Sequence, residues 1–419
     1  MLETSVSSPK ILNEIAPLKQ LMLWGEPGCE ALLGQLLPKR KSLFLSYYEV
    51  PQAREEFRRM QRLIEAQGVQ VLRAKDAFVA RIKGMESGNL PATLKELERR
   101  LLRRADEYFE NCRQEKVGEL VEAGAGTLVE DVYYEVRNDI PRLLQEDADA
   151  YGEPAAIRLN YVLSLSRSLP ISNIFYGRDQ SAALGDRILL SRLYWEIRKP
   201  EVQIYRQALL EMGYGEVLVE IEAGAIEGGD IIIFEDTCYV GVGARTTLEG
   251  VKDLCARLGT RLQERGIQLV AVVNERHVRE ALYLSAPTEE HMRVMHLDMF
   301  WIPLGPDLVM AYGPELDARR VVGLSRRDGQ VVTEELGGFR EFLRSKGYRI
   351  LEVTTQEQHD YATNLLNLGN RRVIASLSKN ERVIAELQER GYRVLQAELN
   401  KLVGGSGAIH CLTAPMQRQ

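Results

Sequence analysis

One pattern recurs five times along this chain: an amphipathic, charge-laced helix, a glycine that ends it, and an apolar run with strand character. The copies lie at Glu55 to Leu72, Val202 to Val219, Val251 to Val273, Phe339 to Val353 and Glu381 to Leu395. Their ending glycines are Gly68, Gly213, Gly266, Gly347 and Gly391. Glycine just past a helix supplies a left-handed cap, and a Val/Ile/Leu-rich run after it reads as a strand. The last two copies are nearly the same in wording, Lys346-Gly347-Tyr348-Arg349-Ile350-Leu351 against Arg390-Gly391-Tyr392-Arg393-Val394-Leu395. Before each later helix the pattern predicts a hairpin. These are Ser181–Leu190 turning at Gly185-Asp186, Asp230–Phe234 into Cys238–Val242, Met299–Pro303 into Leu308–Tyr312, and Leu365–Ala375 turning around Gly369-Asn370. A unit of strand, strand, helix, strand that recurs about five times points to a propeller or another closed array.

The spacing of the ending glycines is uneven. The stretch from Gly68 to Gly213 is far longer than the next, and it contains a highly charged helical pattern from Leu94 to Val121 and a second from Thr127 to Leu144. Residues 76–150 are therefore expected as a helical module inserted into a single domain spanning 1–419. At 419 residues, 45% hydrophobic and 27% charged, the chain has the composition of a globular protein. A net charge of -6 argues against a nucleic-acid surface. No apolar run reaches the roughly 20 residues of a membrane span, and Met1 to Lys10 lacks a signal-peptide core. Five scattered cysteines suit a reducing cytoplasm rather than a disulfide framework.

Four motifs carry reactive side chains: Asn173 to Asp179, Glu227-Gly228-Gly229-Asp230, His296-Leu297-Asp298, and the glycine-rich tail Gly404 to Cys411. Taken singly, each has a bland reading: a surface ion pair, a surface turn, a structural histidine, a buried apolar cysteine. Their placement changes this. Asp179, Glu227 to Asp230, and His296 to Asp298 each sit at or near the start of a hairpin strand, and Cys411 follows the last strand. Equivalent ends in a closed array face one cavity, which would then hold several carboxylates, an imidazole and a thiol.

Such a set suits a guanidinium, a planar cation whose fork of N–H groups pairs with carboxylates. Anions on its nitrogens keep it protonated, the cation favours a nearby thiolate, and the thiolate attacks the central carbon. The histidine protonates the departing nitrogen and then deprotonates water. A metal hydrolase built on His291, His296, Asp298 and Cys411 fits poorly, because a spacing of five suits neither one helix face nor one strand face. Gly404 to Gly407 lacks the lysine and helix of a phosphate loop. Cys29, Cys112, Cys238, Cys255, His277 and His359 read as structural, and His410 receives no chemical role.

These motifs, in this order, resemble the guanidine-modifying superfamily and most of all the arginine deiminases. The resemblance runs from Asn13-Glu14-Ile15-Ala16-Pro17-Leu18-Lys19 to His410-Cys411-Leu412-Thr413 and covers essentially the whole chain. It implies an α/β fold, a five-bladed propeller of ββαβ repeats with pseudo-fivefold symmetry. It also implies Cys411 as nucleophile, His296 as acid/base and Glu227 supporting the imidazole. Asp179 and Asp298 would grip the guanidinium with Asp230 close by, while Asn173, Arg198 and Arg245 would hold an α-carboxylate. The implied reaction is arginine plus water to citrulline plus ammonia, with no cofactor and no metal. The partner is a small guanidine, with no nucleic acid or membrane, and a homo-oligomer is compatible. Alternatives are an amidinotransferase, a deiminase of agmatine or methylated arginine, and a non-catalytic propeller that only binds. The sequence departs from the family in two places. The loop Gly404 to His410 has no arginine, Ser406 standing at one of the expected positions, and Gln180-Ser181 replaces the usual Pro-Phe. Ile409-His410-Cys411 is similar to the ending of agmatine deiminases and amidinotransferases.

Overall fold

All five ending glycines adopt the left-handed conformation, with φ between 73° and 86°. At four of them (Gly68, Gly213, Gly266 and Gly347) an added Cβ would meet nothing within 4 Å. Glycine is needed there for its backbone angles and not for space. The computed structural model describes residues 8–84, 89–122, 128–284, 286–376 and 380–419.

The helices that these glycines end are Val50–Glu65, Lys199–Glu211, Leu248–Glu264, Phe339–Ser345 and Glu381–Glu389. Each connects an antiparallel pair to a third strand that lies parallel to the second, the crossover that a parallel pairing requires. Thus Ser181–Leu184 and Arg187–Leu190 pair antiparallel, and Leu218–Glu220 joins in parallel. The same order holds for Ile231–Phe234, Thr237–Val242 and Gln268–Val273. It recurs in Trp301–Gly305, Leu308–Tyr312 and Arg349–Val353, and in Leu366–Gly369, Arg372–Ser376 and Arg393–Ala397. The fifth sheet joins the chain ends: Ala414–Arg418 pairs antiparallel with Leu18–Leu23, which takes Gln70–Arg73 in parallel.

The result is a mixed α/β fold of five separate sheets, and none of them closes on itself among the described residues. The expected hairpins form within two residues of their predicted limits. One hairpin was not anticipated. Arg320–Arg327 and Gln330–Gly338 interrupt the unit that begins at Trp301 and add to the edge of the neighbouring sheet at Gln268–Val273. This detour explains the long interval between Gly266 and Gly347.

Between Arg73 and Ser181 lie the helices Ala74–Ile82, Leu94–Glu122, Val129–Tyr151 and Glu153–Ser164. Thr127, where the second helical pattern was expected to begin, lies outside the described residues. The apolar faces of these helices (Leu97, Leu101, Val132, Ile140, Leu159) share one core with Leu21, Trp24 and Phe57. Two further cores lie among the other sheets, around Trp301 and around Val240. No described helix is long and apolar enough to cross a membrane.

Gly347→Ala is expected to lower the unfolding free energy by about 1–2 kcal/mol, the cost of a Cβ in the left-handed region. Urea unfolding measures it, and an unchanged midpoint would contradict the assigned cap.

Candidate active site

The first hairpin strand of every unit is preceded by a tight turn, and these turns deliver the reactive side chains. The short helix Gly177–Gln180 carries Asp179, and a 3-10 turn Gly228–Asp230 follows Glu227. A second 3-10 turn, Leu297–Met299, follows His296 and holds Asp298, and the short helix Ile409–Leu412 carries Cys411. In the remaining unit the residues just before Leu366 include Asn364, which the sequence reading missed. The repeat itself was the signal, because Asn364 stands where the other four units place a site residue.

Asn364 is fully buried and organises the turn that carries Cys411. Its Oδ1 accepts the backbone N–H groups of Ala408 (3.2 Å), His410 (3.0 Å) and Cys411 (3.3 Å). Its Nδ2 donates to Cys411 Sγ at 3.0 Å. Gly407 lets this turn pass Tyr176, since a Cβ there would stand 2.7 Å from the ring. Burial, with the charges of Asp298 and Asp179 beside it, holds the Cys411 thiol well above its usual range, and the Asn364 hydrogen bond opposes this. Asp298 Oδ2 is 3.8 Å from the sulfur.

His296 is fixed through one nitrogen. Its Nε2 lies 2.8 Å from Glu227 Oε2, while Glu227 Oε1 accepts the Tyr194 N–H at 3.1 Å. The other nitrogen, Nδ1, faces Asp179 Oδ1 at 3.5 Å and has no hydrogen bond. Burial alone would lower the imidazole pKa, but Asp179, the bond to Glu227 and the charge of Asp230 outweigh it and raise it to about 9. The Gly-Gly pair is buried, not a surface turn. A Cβ at Gly228 would reach 2.0 Å from the Arg178 carbonyl oxygen, and one at Gly229 would reach 2.7 Å from His296 Nδ1. Glu227 itself is held well below the usual carboxylate range. Burial opposes this, and Arg245 and His296 overcome it.

The other expected residues divide by what already engages them. Asp230 Oδ1 accepts the Leu297 N–H at 2.9 Å, so it supports the turn that carries His296 and Asp298. Burial pushes its carboxyl up to about 7. Arg198 pairs with Asp179 Oδ2 at 2.6 Å and with Glu201 Oε2 at 2.8 Å. Glu201, also missed in the sequence, accepts from Gln180 Nε2 at 2.6 Å, which gives the unusual Gln180 a place in this network. Asn173 Nδ2 donates to the Ser42 carbonyl at 2.6 Å. Arg245 differs from Arg198: it is 2% exposed, its Nη1 approaches Glu227 Oε2 only to 3.7 Å, and Nε and Nη1 have no hydrogen-bond partner. Asp179 Oδ1 and Asp298 Oδ1 are likewise buried and unpartnered. His410, left without a role in the sequence, bridges Asp298 Oδ2 (2.6 Å) and Arg178 Nη2 (2.8 Å).

Asp179, Arg198, Arg245, His296 and Cys411 line one cavity together with Asn173, Leu43 and Ser406. Its volume is about 20 Å³, room for about one water molecule. Asp230 and Asp298 are not among its lining residues, but Asp298 adjoins Cys411, its Oδ2 3.8 Å from the sulfur. Asp179, Glu227 and His296 are close enough together to ligate a metal, but Arg198 and Arg245 stand within 4.0 Å of the same carboxylates. This disfavours a second cation bound there as a metal.

Comparison with known proteins agrees with this geometry. Arginine deiminases of Mycobacterium marinum and Mycobacterium avium are 24% and 23% identical to the chain, each match covering 97% of both partners. The uncharacterised protein YkgA of Bacillus subtilis is 24% identical over 58% of this chain and 69% of its own length. Among solved structures, dimethylarginine dimethylaminohydrolase of Pseudomonas aeruginosa in complex with citrulline superposes with a TM-score of 0.52 at 15% identity, covering 95% of this chain and 99% of its own. The amidinotransferase SxtG of Microseira wollei superposes with a TM-score of 0.53 at 13% identity, over 98% and 97%. At these identities the structures speak for the fold. The arginine deiminase family profile matches residues 41–418, and the chain belongs to the arginine deiminase family, as a hydrolase of C–N bonds in amidines.

Proposed function

We propose that this protein hydrolyses L-arginine to L-citrulline and ammonia through a covalent adduct on Cys411, and that its five sheets stand in a closed ring. The ring is supported by the pairing of the last strand with the first and by the convergence of all five leading turns on one centre. The observation that carries the substrate assignment is Arg245, a buried guanidinium with two unpartnered nitrogens on the wall of the cavity that holds Cys411. A buried arginine without its anion is costly, and a ligand carboxylate satisfies it.

The chemistry follows from the atoms left unpaired. Asp179 Oδ1 and Asp298 Oδ1 accept N–H groups of the substrate guanidinium. The arriving cation offsets the charges that hold the Cys411 thiol protonated, and the thiol proton is lost. The thiolate attacks the central carbon, and a C–S bond forms. His296, protonated in the free protein, gives its Nδ1 proton to the departing nitrogen, and ammonia leaves as the C–N bond breaks. Neutral His296 then takes a proton from water, and the hydroxide attacks the same carbon. The C–S bond breaks, the ureido carbonyl forms, and the hydroxyl proton returns to Cys411. The proton first lost from the thiol leaves with ammonia as ammonium.

Three outcomes test this reading. Discrimination of about 10² or more is expected for L-arginine over agmatine, which lacks only the carboxylate. Arg245→Leu should erode arginine turnover far more than agmatine turnover, and equal turnover of both by the unmodified protein would reject arginine as the substrate. Including an amine acceptor in the same assay tests transfer: an amidino-amine product would assign an amidinotransferase instead.

The second outcome is a pH profile. Because Glu227 and the other carboxylates raise the His296 pKa, kcat/KM should fall as pH rises through about 9, where the free enzyme loses its acid. Glu227→Gln removes the charge that favours imidazolium, so this alkaline limb should move to lower pH. A limb that stays in place would separate it from His296.

The third concerns Asn364. Asn364→Asp keeps the acceptor for three N–H groups but replaces the donor to sulfur with a negative charge. A loss on the order of 10²–10³ in kcat is expected, similar to removal of one preorganised donor. Alkylation of Cys411 by iodoacetamide should slow, with the thermal midpoint nearly unchanged. Unaltered alkylation would mean that Asn364 only holds the loop.

A further inference from the structure

Three of the five histidines lie away from Cys411, and two of them meet in a second cluster. His277 belongs to helix Glu275–Ala281 and His291 to helix Glu289–Arg293, and each is 2% exposed. Their rings pack edge to face with centroids 4.9 Å apart. Glu280 stands three residues after His277, on the same helix face, and its Oε2 is 2.8 Å from His291 Nε2. One ligand atom from each of His277, Glu280 and His291 lies within 4.8 Å of the other two. The His277 ring, although buried, makes no hydrogen bond among the described residues. It borders a cavity of about 710 Å³ that His359 also lines, so the third of these histidines faces the same space.

We propose that His277, Glu280 and His291 bind one late first-row divalent cation, with zinc the best match to two imidazole nitrogens and a carboxylate oxygen. Two donors each about 2.0–2.2 Å from a zinc ion can stand as close as the 2.8 Å between His291 Nε2 and Glu280 Oε2. The ion thus replaces the proton between them, and rotation of the His277 side chain completes three ligands. The fourth position opens to the cavity and takes water. Arg276 Nε donates at 2.8 Å to Glu280 Oε1, the oxygen that the ion leaves free, and unlike the buried Arg198 and Arg245 its guanidinium is solvent-exposed and its charge screened.

Binding at His291 Nε2 puts the ring proton on Nδ1 and gives up the long contact (3.5 Å) from the Thr288 N–H. The helix keeps its cap, because Thr288 Oγ1 still accepts the His291 N–H at 3.2 Å. The consequence reaches the catalytic centre through the backbone. The helix Glu289–Arg293 leads directly into Met295 and His296, so the ion staples two short helices and braces the segment that presents the imidazole.

The test uses full-length, chelator-treated protein carrying Cys411→Ser, so that the thiol does not compete for metal. Calorimetric titration with Zn²⁺ should give one ion per chain and raise the thermal midpoint, and Co²⁺ should give visible bands of a low-coordinate nitrogen–oxygen site. Glu280→Gln lies on a partly exposed helix face and preserves the hydrogen bond to His291, so it leaves the fold intact. It and His277→Gln should each weaken binding at least tenfold, beyond the lower end of losses seen for outer-shell changes. His296→Gln should leave the affinity unchanged. No stoichiometric binding, binding that survives both Glu280→Gln and His277→Gln, or binding lost with His296→Gln would each overturn the site.

Discussion

The joint burial of Asp179, Glu201, Glu227, Asp230 and Asp298 with Arg178, Arg198, Arg245, His296 and His410 sets the character of this centre. Carboxylates out of water demand partners, and here Asp179 and Asp298 each keep one oxygen without any. Burial shows in several groups at once. Asp230 titrates near 7, Glu201 above its ordinary range, His296 near 9, and the Cys411 thiol far above its usual value. Burial leads each of these shifts; for His296 it pulls the other way, and neighbouring carboxylates overcome it. On the proposed reading, an entering guanidinium supplies the N–H groups that these oxygens lack. The same event that satisfies Asp179 and Asp298 removes the electrostatic bar to a thiolate. On that reading Cys411 is favoured as a thiolate only once the cation that it attacks is in place.

The two arginines divide this labour in a way that residue type alone does not reveal. Arg198 spends its N–H groups on Asp179 and Glu201 and so holds Asp179, the carboxylate proposed to grip the substrate, in position. Arg245 lines the cavity beside Glu227 without a hydrogen bond to it, its guanidinium pKa drawn down by burial and partly restored by Glu227. In a chain read as letters both are arginines after a motif. Only the three-dimensional pairing distinguishes an arginine that supports the site from one with nitrogens to spare.

Much of the architecture was legible because it repeats. A left-handed glycine after an amphipathic helix is a local signal, and five copies at equivalent places fixed the helix, strand and hairpin order. The hairpin Arg320–Gly338 escaped because its outer strand is polar and mostly exposed, with no apolar alternation to mark it. Its existence showed only as a long interval between glycines. Asn364 escaped for a different reason. An asparagine before a strand usually reads as a turn residue, and its three backbone N–H partners lie more than forty positions away in the chain. The repeat marked its position, but residue type did not mark its role. His277 read as structural, and His291 was weighed only with His296, because neither their shared contact nor Glu280 follows from spacing across two separate helices.

With arginine as the proposed substrate, the small cavity singles out the parts that would have to move for it to enter. Its roof is made by Leu43 and Ser406, both in the left-handed conformation that non-glycine residues rarely adopt. Ser406 Oγ donates to the Leu43 carbonyl at 3.4 Å, and the Leu45 and Ser46 N–H groups donate to the Gly404 carbonyl. These bonds join the two segments to each other. The tethers from the segment before Asp179 are the Asn173 bond to Ser42 and the Tyr176 hydroxyl bond to the Leu402 carbonyl. Each is a neutral hydrogen bond worth about 1 kcal/mol net. The Cys411 turn, by contrast, hangs on three N–H bonds to one buried asparagine and would lose all three together. Opening therefore falls on the roof while the nucleophile stays fixed. Closure over bound substrate restores the dry surroundings in which the carboxylates and the thiolate act most strongly.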